Sequence, residues 1–482
     1  MNIANLIESH GLELIRFAWC DTHGILRGKT LTAPAAISAL QDGVGMVGTL
    51  MLKDTSDRTA FKVFDPAIKD ELPGFEFASN LQLMPIESSF KLLPWADKTG
   101  WIQCQPVYPD GAPVMFDTRR QLQKALAALA QHGLGMQCGL EVEFHIYKLR
   151  DLEHGLDLDP NTAAWPGPAP QVSLIHPGYN LLSENWFDLA EAPLRVVQRV
   201  AQALELPLQS LEIELGPSQV EAVFGVTDAL TAADNMVLFR SAVKQALRRA
   251  GYHATFMCRP PFENIMSSGW HLHQSLAHLD SGANVFVPEV PAVGAAVTDA
   301  QFTLSDLGSH YLAGLLNHAK GMTVMCTPTT NGYGRFQPNA LAPQSVVWGR
   351  DNRGAMLRVI GGVGDVATRI ENRLGEPAAN PYLYIASQIY AGLAGLNNKQ
   401  LPPVATDSPY EQNGEGTGNT ATRIPTSLAD AVRSVQIDTA MTSAFGVDFI
   451  NYYCRIKDAE NQRFEAAEDK TEFHRREYFG RI

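Results

Sequence analysis

Five short apolar stretches of this chain carry a polar or charged residue at every second position. They read Leu140-Glu141-Val142-Glu143-Phe144, Leu211-Glu212-Ile213-Glu214-Leu215, Gln219-Val220-Glu221, His271-Leu272-His273-Gln274-Ser275 and Arg369-Ile370-Glu371-Asn372-Arg373. A strand sends alternate side chains to opposite faces. Each stretch therefore predicts a strand with Glu, His or Arg on one face and, in most cases, apolar residues on the other. One such strand is ordinary in a half-solvated antiparallel sheet. Five that gather carboxylates, imidazoles and guanidiniums predict a site built on a sheet. Carboxylate plus imidazole ligation suits a divalent cation, and arginines beside it suit phosphate.

The chain has 482 residues, enough for two or three domains around a large core. No apolar run approaches the roughly 18 residues needed to cross a bilayer. The start, Met1-Asn2-Ile3-Ala4-Asn5, lacks the basic-then-apolar pattern of a signal peptide. Cys20, Cys104, Cys138, Cys258, Cys326 and Cys454 are scattered without paired spacing, which predicts reduced thiols in a cytoplasmic protein, no disulfide framework and no cysteine zinc site. A net charge of −13 without a basic cluster disfavours nucleic acid as partner. It leaves room for an anionic small substrate, because a bound metal and local arginines can invert the field at one site.

Residues 1 to about 105 read as short strands and turns, with a strand at Leu14–Cys20 ending at the turn Asp21-Thr22-His23-Gly24. A boundary is expected near Tyr108-Pro109-Asp110-Gly111. Asp117 then caps a helix to about Gln131, closed by Gly133. Further helices are expected at about 194–204, 231–249 and 309–320, mixed irregularly with strands. The mixture predicts an α+β fold with an antiparallel sheet. Stretches 151–170 and 407–422, rich in Gly, Pro, Asp, Asn or Thr, read as loops.

Taken together, these segments resemble a glutamine synthetase of the bacterial type, nearly end to end. Leu83-Met84-Pro85-Ile86-Glu87-Ser88-Ser89-Phe90-Lys91-Leu92-Leu93-Pro94-Trp95 resembles the family's N-terminal signature, and Glu141-Val142-Glu143-Phe144 its first metal strand. Glu214 with Gly216-Pro217-Ser218-Gln219-Val220-Glu221 resembles the second metal segment, and Ser268-Gly269-Trp270-His271-Leu272-His273-Gln274-Ser275 the ATP signature. Asn331-Gly332-Tyr333-Gly334-Arg335, Asn352-Arg353, Arg358, Glu371, Arg373 and Asn380-Pro381-Tyr382 follow in the family's order.

The resemblance implies a small β-grasp-like domain over residues 1–105 and a catalytic domain over 106–482, the latter an antiparallel sheet funnel flanked by helices. It also implies a dodecamer of two hexameric rings with sites shared between subunits. Two Mg²⁺ or Mn²⁺ ions are expected, one held by Glu143, Glu214 and Glu221 and one by Glu141, His271 and Glu371. ATP would lie against His273, Ser275, Arg353 and Arg358. Arg335, Arg373, Leu341 and Tyr179 would meet L-glutamate and the amine, with Arg353 and Arg373 the catalytic arginines. The implied chemistry phosphorylates the glutamate γ-carboxylate from ATP and displaces phosphate with an amine, which requires cations to neutralise both anions.

Departures from the family pattern fall on the acceptor side. Leu341 of Pro338-Asn339-Ala340-Leu341-Ala342-Pro343 stands where glutamine synthetases carry a Glu that seats ammonium. Gly43-Val44-Gly45-Met46-Val47-Gly48-Thr49 replaces their Asp-Gly-Ser-Ser loop. An ammonium site needs fixed negative charge. Apolar replacements make room for a carbon-bearing amine, as in the γ-glutamyl-amine ligases, and suit an aniline-type or small apolar alkyl amine. The alternatives are glutamine synthetase proper, a γ-glutamylpolyamine synthetase, and a non-catalytic structural relative. Ser218 and Ser267 also stand where glycines are usual, and Met266 where Asn is frequent.

Overall fold

A computed structural model describes residues 2–150, 163–289, 299–337, 341–410 and 422–482. The first sheet is built from β1 (Leu14–Cys20), β2 (Leu26–Thr32), β3 (Val44–Val47), β4 (Asn80–Pro85), β5 (Lys91–Leu92) and β6 (Thr99–Val107). Its order is β2-β1-β6-β4-β3, with β5 also on β6; only β1 and β6 run parallel. The strand and turn expected over Leu14–Gly24 are present, and Ile15, Phe17 and Trp19 face the core. This region also holds helices Ile3–Ser9 and Ala33–Asp42, which the reading of short strands and turns passed over. Strand β6 continues to Val107, two residues past the expected division.

The second sheet contains the five alternating segments, except that Glu214 and Leu215 lie past the end of their strand. Its strands are β7 (Leu134–Leu149), β8 (Val172–Leu174), β9 (Leu208–Ile213), β10 (Gln219–Asp228), β11 (Tyr252–Thr255), β12 (Trp270–His278), β13 (Trp348–Arg350), β14 (Leu357–Ile360) and β15 (Arg369–Gly375). They run in the order β13-β14-β15-β12-β7-β10-β9, with β8 and β11 also pairing with β7. All pairings are antiparallel except β13 with β14. The apolar face of β7 is buried, and Phe144 stacks on Phe256 and meets Phe239 edge-on. Trp270 is core, packed edge-on to Tyr384. Burying that face is what fixes the register, since a slip of one residue would turn Glu141 and Glu143 inward and Val142 out.

Helix Thr118–Ala130 starts where Asp117 accepts two backbone N–H groups, as expected. Helix Ala229–Arg249, capped by Asp228, also matches expectation. Two helices differ. The one expected from Leu194 begins ten residues earlier, at Glu184, because Ser183 caps it and Pro193 is accommodated inside. The one expected over 309–320 is two, Asp306–Asn317 and Ala319–Cys326, broken at His318. Helix Pro381–Asn398 is buried on nearly all sides and runs through the centre of the packing. The six cysteines are buried free thiols. Among the described residues, no helix is long and apolar enough to cross a membrane. Residues 151–162 and 411–421, within the two expected loops, and 338–340 lie outside the described residues.

Candidate active site

Strand register assembles the polar face. His271 of β12 sits opposite Glu141 of β7, and His273 opposite Glu371 of β15. Arg358 of β14 sits opposite Glu371 from the other side. On the other flank Glu143 faces Glu221 of β10, which faces Glu212 of β9. The sheet thus carries one band of ionisable side chains from β14 to β9. Glu214, expected on a strand, lies just past the end of β9, where its N–H donates to Gln219 O at 3.0 Å. That turn still delivers its carboxylate to the cleft.

The cleft encloses about 1120 Å³, open to solvent. Glu141, Glu143, Glu212, Glu214, Glu221 and His271 line it, with Arg335, Arg353 and Arg373 also on its walls. Its apolar members include Leu181, Leu182 and Leu341, all more than half exposed. Arg335 is anchored by donating to Arg373 O at 2.9 Å and Gly375 O at 3.1 Å. Arg373 donates to Glu371 at 2.5 Å and leaves its Nε without a partner among the described residues. Arg358 spans Asp351 and Glu371, the latter at 3.0 Å. Arg353 is exposed at the rim.

The carboxylates and imidazoles group differently from the expected sets. Ligand atoms converge to within 4.8 Å in Glu141–His273–Glu371 and in Glu141–Glu221–His271. Glu141 is shared, and His273, expected against the nucleotide, lies with its Nε2 3.0 Å from Glu141. Its Nδ1 accepts from Arg369 at 3.1 Å, which gives that arginine an orienting contact. His271 remains 3.4 Å from Glu141 and 3.6 Å from Glu371.

The electrostatics fit a divalent cation. The Nε2 atom of His271 is buried without a hydrogen-bond partner among the described residues. Burial, with Arg373 beside it, pushes His271 down to about 4, so a neutral ring with a free lone pair faces the carboxylates. Burial raises Glu143, Glu214 and Glu221 above the usual carboxylate range, and the acids around each add to it. Burial alone would raise Glu141, but its two histidines outweigh that and hold it low. Carboxylates that repel one another beside the neutral His271 ring are what a hard dication would stabilise.

Some expected residues stand apart. Tyr179 is 56% exposed and not on the cleft wall, although its N–H donates to Leu215 O at 2.7 Å. Ser275 shares the β12 face with His271 and His273 but lies beyond the cleft lining. Met46 is buried in the core beside β4, and neither it nor Val47 lines the cleft of its own chain. Ser218 adopts φ +60°, the conformation that explains the usual glycine, and its hydroxyl accepts from Ile175 N at 2.9 Å.

Two further residues, Gln219 and Gly269, shape the site. Gln219 donates to Glu143 at 2.9 Å and to Ser268 Oγ at 3.1 Å, orienting that carboxylate. At Gly269 an added Cβ would lie 2.6 Å from Arg335 and 3.0 Å from His271 Nε2, so the close approach requires glycine. Gln219 sits at an alternating position of β10, but its contact with Glu143 and the tight approach at Gly269 emerge only from the three-dimensional arrangement.

Residues 115–476 match the family described as glutamine synthetase, catalytic domain. The chain is 38% identical to a gamma-glutamylanilide synthase of Acinetobacter sp, over 98% of this chain and 94% of the relative. It is 29% identical to a glutamate–isopropylamine ligase of Pseudomonas sp, over 95% and 93%. It is 30% identical to a glutamine synthetase of Clostridium saccharobutylicum, over 95% and 94%. The solved structure of ligand-free GmaS aligns over 98% of both chains with a TM-score of 0.77 and 25% identity. The chain belongs to the glutamine synthetase family.

Proposed function

We propose that this enzyme is a ligase that joins the γ-carboxyl of L-glutamate to a primary amine at the expense of ATP, through γ-glutamyl phosphate, with an aniline-type or small apolar alkyl amine as acceptor. One observation carries the reading. The same cleft holds a cation-ready carboxylate and imidazole set, three arginines, and an exposed apolar rim of Leu181, Leu182 and Leu341. The likeness to the anilide synthase and the isopropylamine ligase supports it.

In this reading Mg²⁺ or Mn²⁺ is held by Glu141, Glu143, Glu214, Glu221, His271 and Glu371, with His273 now beside them. Bound there, the ions would neutralise the phosphate and carboxylate charges. Arg335 binds the glutamate, and its two carbonyl anchors hold it still. Arg353 and Arg358 meet the phosphates, and Arg373 meets the γ-carboxyl as it takes up phosphate. A weakly basic arylamine arrives neutral and needs little help to lose a proton, whereas an alkylamine arrives as a cation with a pKa near 10.4. An apolar rim suits the first better. We also assign residues 1–105 as an N-terminal domain that completes a neighbour's site in a dodecamer.

Glu212 favours a second reading, glutamine synthetase proper. It lines the cleft and offers a carboxylate that could gather ammonium. The test is an amine panel of ammonia, ethylamine, isopropylamine, putrescine and aniline with ATP, Mg²⁺ and glutamate, read by mass spectrometry of the product. A γ-glutamyl anilide or alkylamide as main product supports the proposal. Glutamine as main product, with ammonia preferred, sinks it.

A further inference from the structure

A second cavity shares no residue with the active-site cleft. It lies where the β1–β2 hairpin, helix Ala229–Arg249 and the segment ending at Ile482 meet, and it encloses about 600 Å³ including its mouth. Val237, Arg240, Ser241 and Lys244 enter it from one stripe of that helix, as their spacing of three and four residues requires. In a chain of net charge −13, none of the described residues lining this cavity is Asp or Glu.

The cations here differ in what they still need. Arg240 is spent on backbone carbonyls, donating to Pro377 at 2.7 Å, Ala379 at 2.8 Å and Gly24 at 2.9 Å. Arg481 donates to Thr55 O at 2.8 Å. Lys244 has no such outlet: its Nζ is buried without a hydrogen-bond partner among the described residues. Acceptors on the lining residues are engaged elsewhere: Gln245 Oε1 receives Arg16 at 2.6 Å and Trp95 at 3.2 Å, and Ile482 O receives Thr255 Oγ1 at 3.0 Å. Burial, with Arg240 close by, pushes the Lys244 ammonium down to about 7. Buried polar groups are nearly always paired, and a lone cation is the costliest to leave bare.

We propose that this cavity binds a small monocarboxylate with a compact apolar body. The carboxylate would take the Lys244 ammonium, with Ser241 as a second donor, since its hydroxyl accepts from Gln245 and keeps its own proton. Ile25, Leu26, Val237 and Phe256 would cover the body. Among the described residues lining the cavity, Lys244 is the cation whose charged nitrogen has no hydrogen-bond partner, which suits a ligand of single negative charge. A dianion such as phosphate would bring a second charge against apolar walls. The wall touches the rest of the enzyme through Arg240, whose carbonyl partners Pro377 and Ala379 directly follow β15, the strand of Glu371 and Arg373.

Benzoate is the probe, with benzamide and inorganic phosphate as controls, measured by calorimetry on the full-length assembly. Because a carboxylate could also reach Arg335, binding is compared in wild type, Arg335→Gln and Lys244→Met. The expected result is saturable benzoate binding that survives Arg335→Gln, weakens about tenfold or more in Lys244→Met as a charged hydrogen bond is lost, and is not matched by either control. Amine-selective acetylation of the wild type, read by mass spectrometry, gives a measurement that needs no variant. Benzoate should protect Lys244. Benzoate binding that is absent, lost with Arg335 or unaffected at Lys244 overturns the proposal, as does labelling of Lys244 that benzoate does not slow, or equal binding of benzamide or phosphate.

Discussion

Glu221→Gln should make the metal-free protein more stable while removing its response to metal. Glu221 is only 8% exposed, faces Glu143 across the ladder, and has a ligand oxygen within 4.8 Å of one on Glu141. Two unit charges at that separation repel by about 3 kcal/mol at an effective dielectric of about 20. A partly protonated carboxyl carries less of this, so a gain of about 1–3 kcal/mol is expected from the neutral isostere. Glu221 has a raised pKa in the folded protein, caused by burial and then by Glu143 and Glu141. A carboxyl raised in this way favours folding below its unfolded value, about 4.3, and loses that contribution as pH rises. The advantage of the variant should therefore be absent near pH 4 and grow toward pH 8. With an unfolding entropy of about 2.1 cal/mol/K per residue over 482 residues, 1 kcal/mol shifts Tm by about 1 °C if the chain unfolds as one unit. The assay is differential scanning fluorimetry in EDTA across that pH range, repeated with Mn²⁺. Wild type should gain stability on adding Mn²⁺, increasingly so at higher pH, and the variant should gain little. A variant that melts below wild type in EDTA at pH 8, or that keeps the full response to Mn²⁺, would refute the reasoning.

Gly269→Ala should raise KM for glutamate or lower kcat at least tenfold, at the order of 1.4 kcal/mol per decade, because the new methyl displaces Arg335 and His271 from their 2.6 and 3.0 Å approaches. Full activity would show that both side chains relax freely. Leu341→Glu should move kcat/KM away from aniline or isopropylamine and toward ammonia, since a carboxylate gathers ammonium and is poorly accommodated beside an apolar amine. If the preference stays where it was, Leu341 plays no part in acceptor choice.

How much of this was legible depended on periodicity. The five alternating segments, Glu214 and Leu215 apart, lie in one sheet because period-2 patterning against a buried face leaves few other solutions. Their order across the sheet was not legible, since β12 enters between β15 and β7 by pairings that no local pattern encodes. The grouping of His273 with Glu141 and Glu371 follows from that register and so stayed hidden. The helix expected at 194–204 starts short of its true beginning, just after Pro193; a proline inside a helix usually ends it, yet here tertiary packing retains it among buried residues. Ser183, the cap that starts the helix, was the better signal. Nothing in the sequence distinguishes Lys244 from other polar positions on the helix, and its ammonium is buried only in the folded chain.

The neighbours in the band of ionisable residues come from widely separated parts of the chain: Glu141 and His271 lie 130 positions apart, and Arg358 and Glu141 farther still. Closing loops of that length delays such pairings relative to local helices. A chain still leaving the ribosome cannot present these ligands together until β15 has been made and threaded beside β12. Cation affinity would thus be acquired at the end of folding, and a metal titration would count finished molecules, leaving collapsed but unfinished ones unmarked.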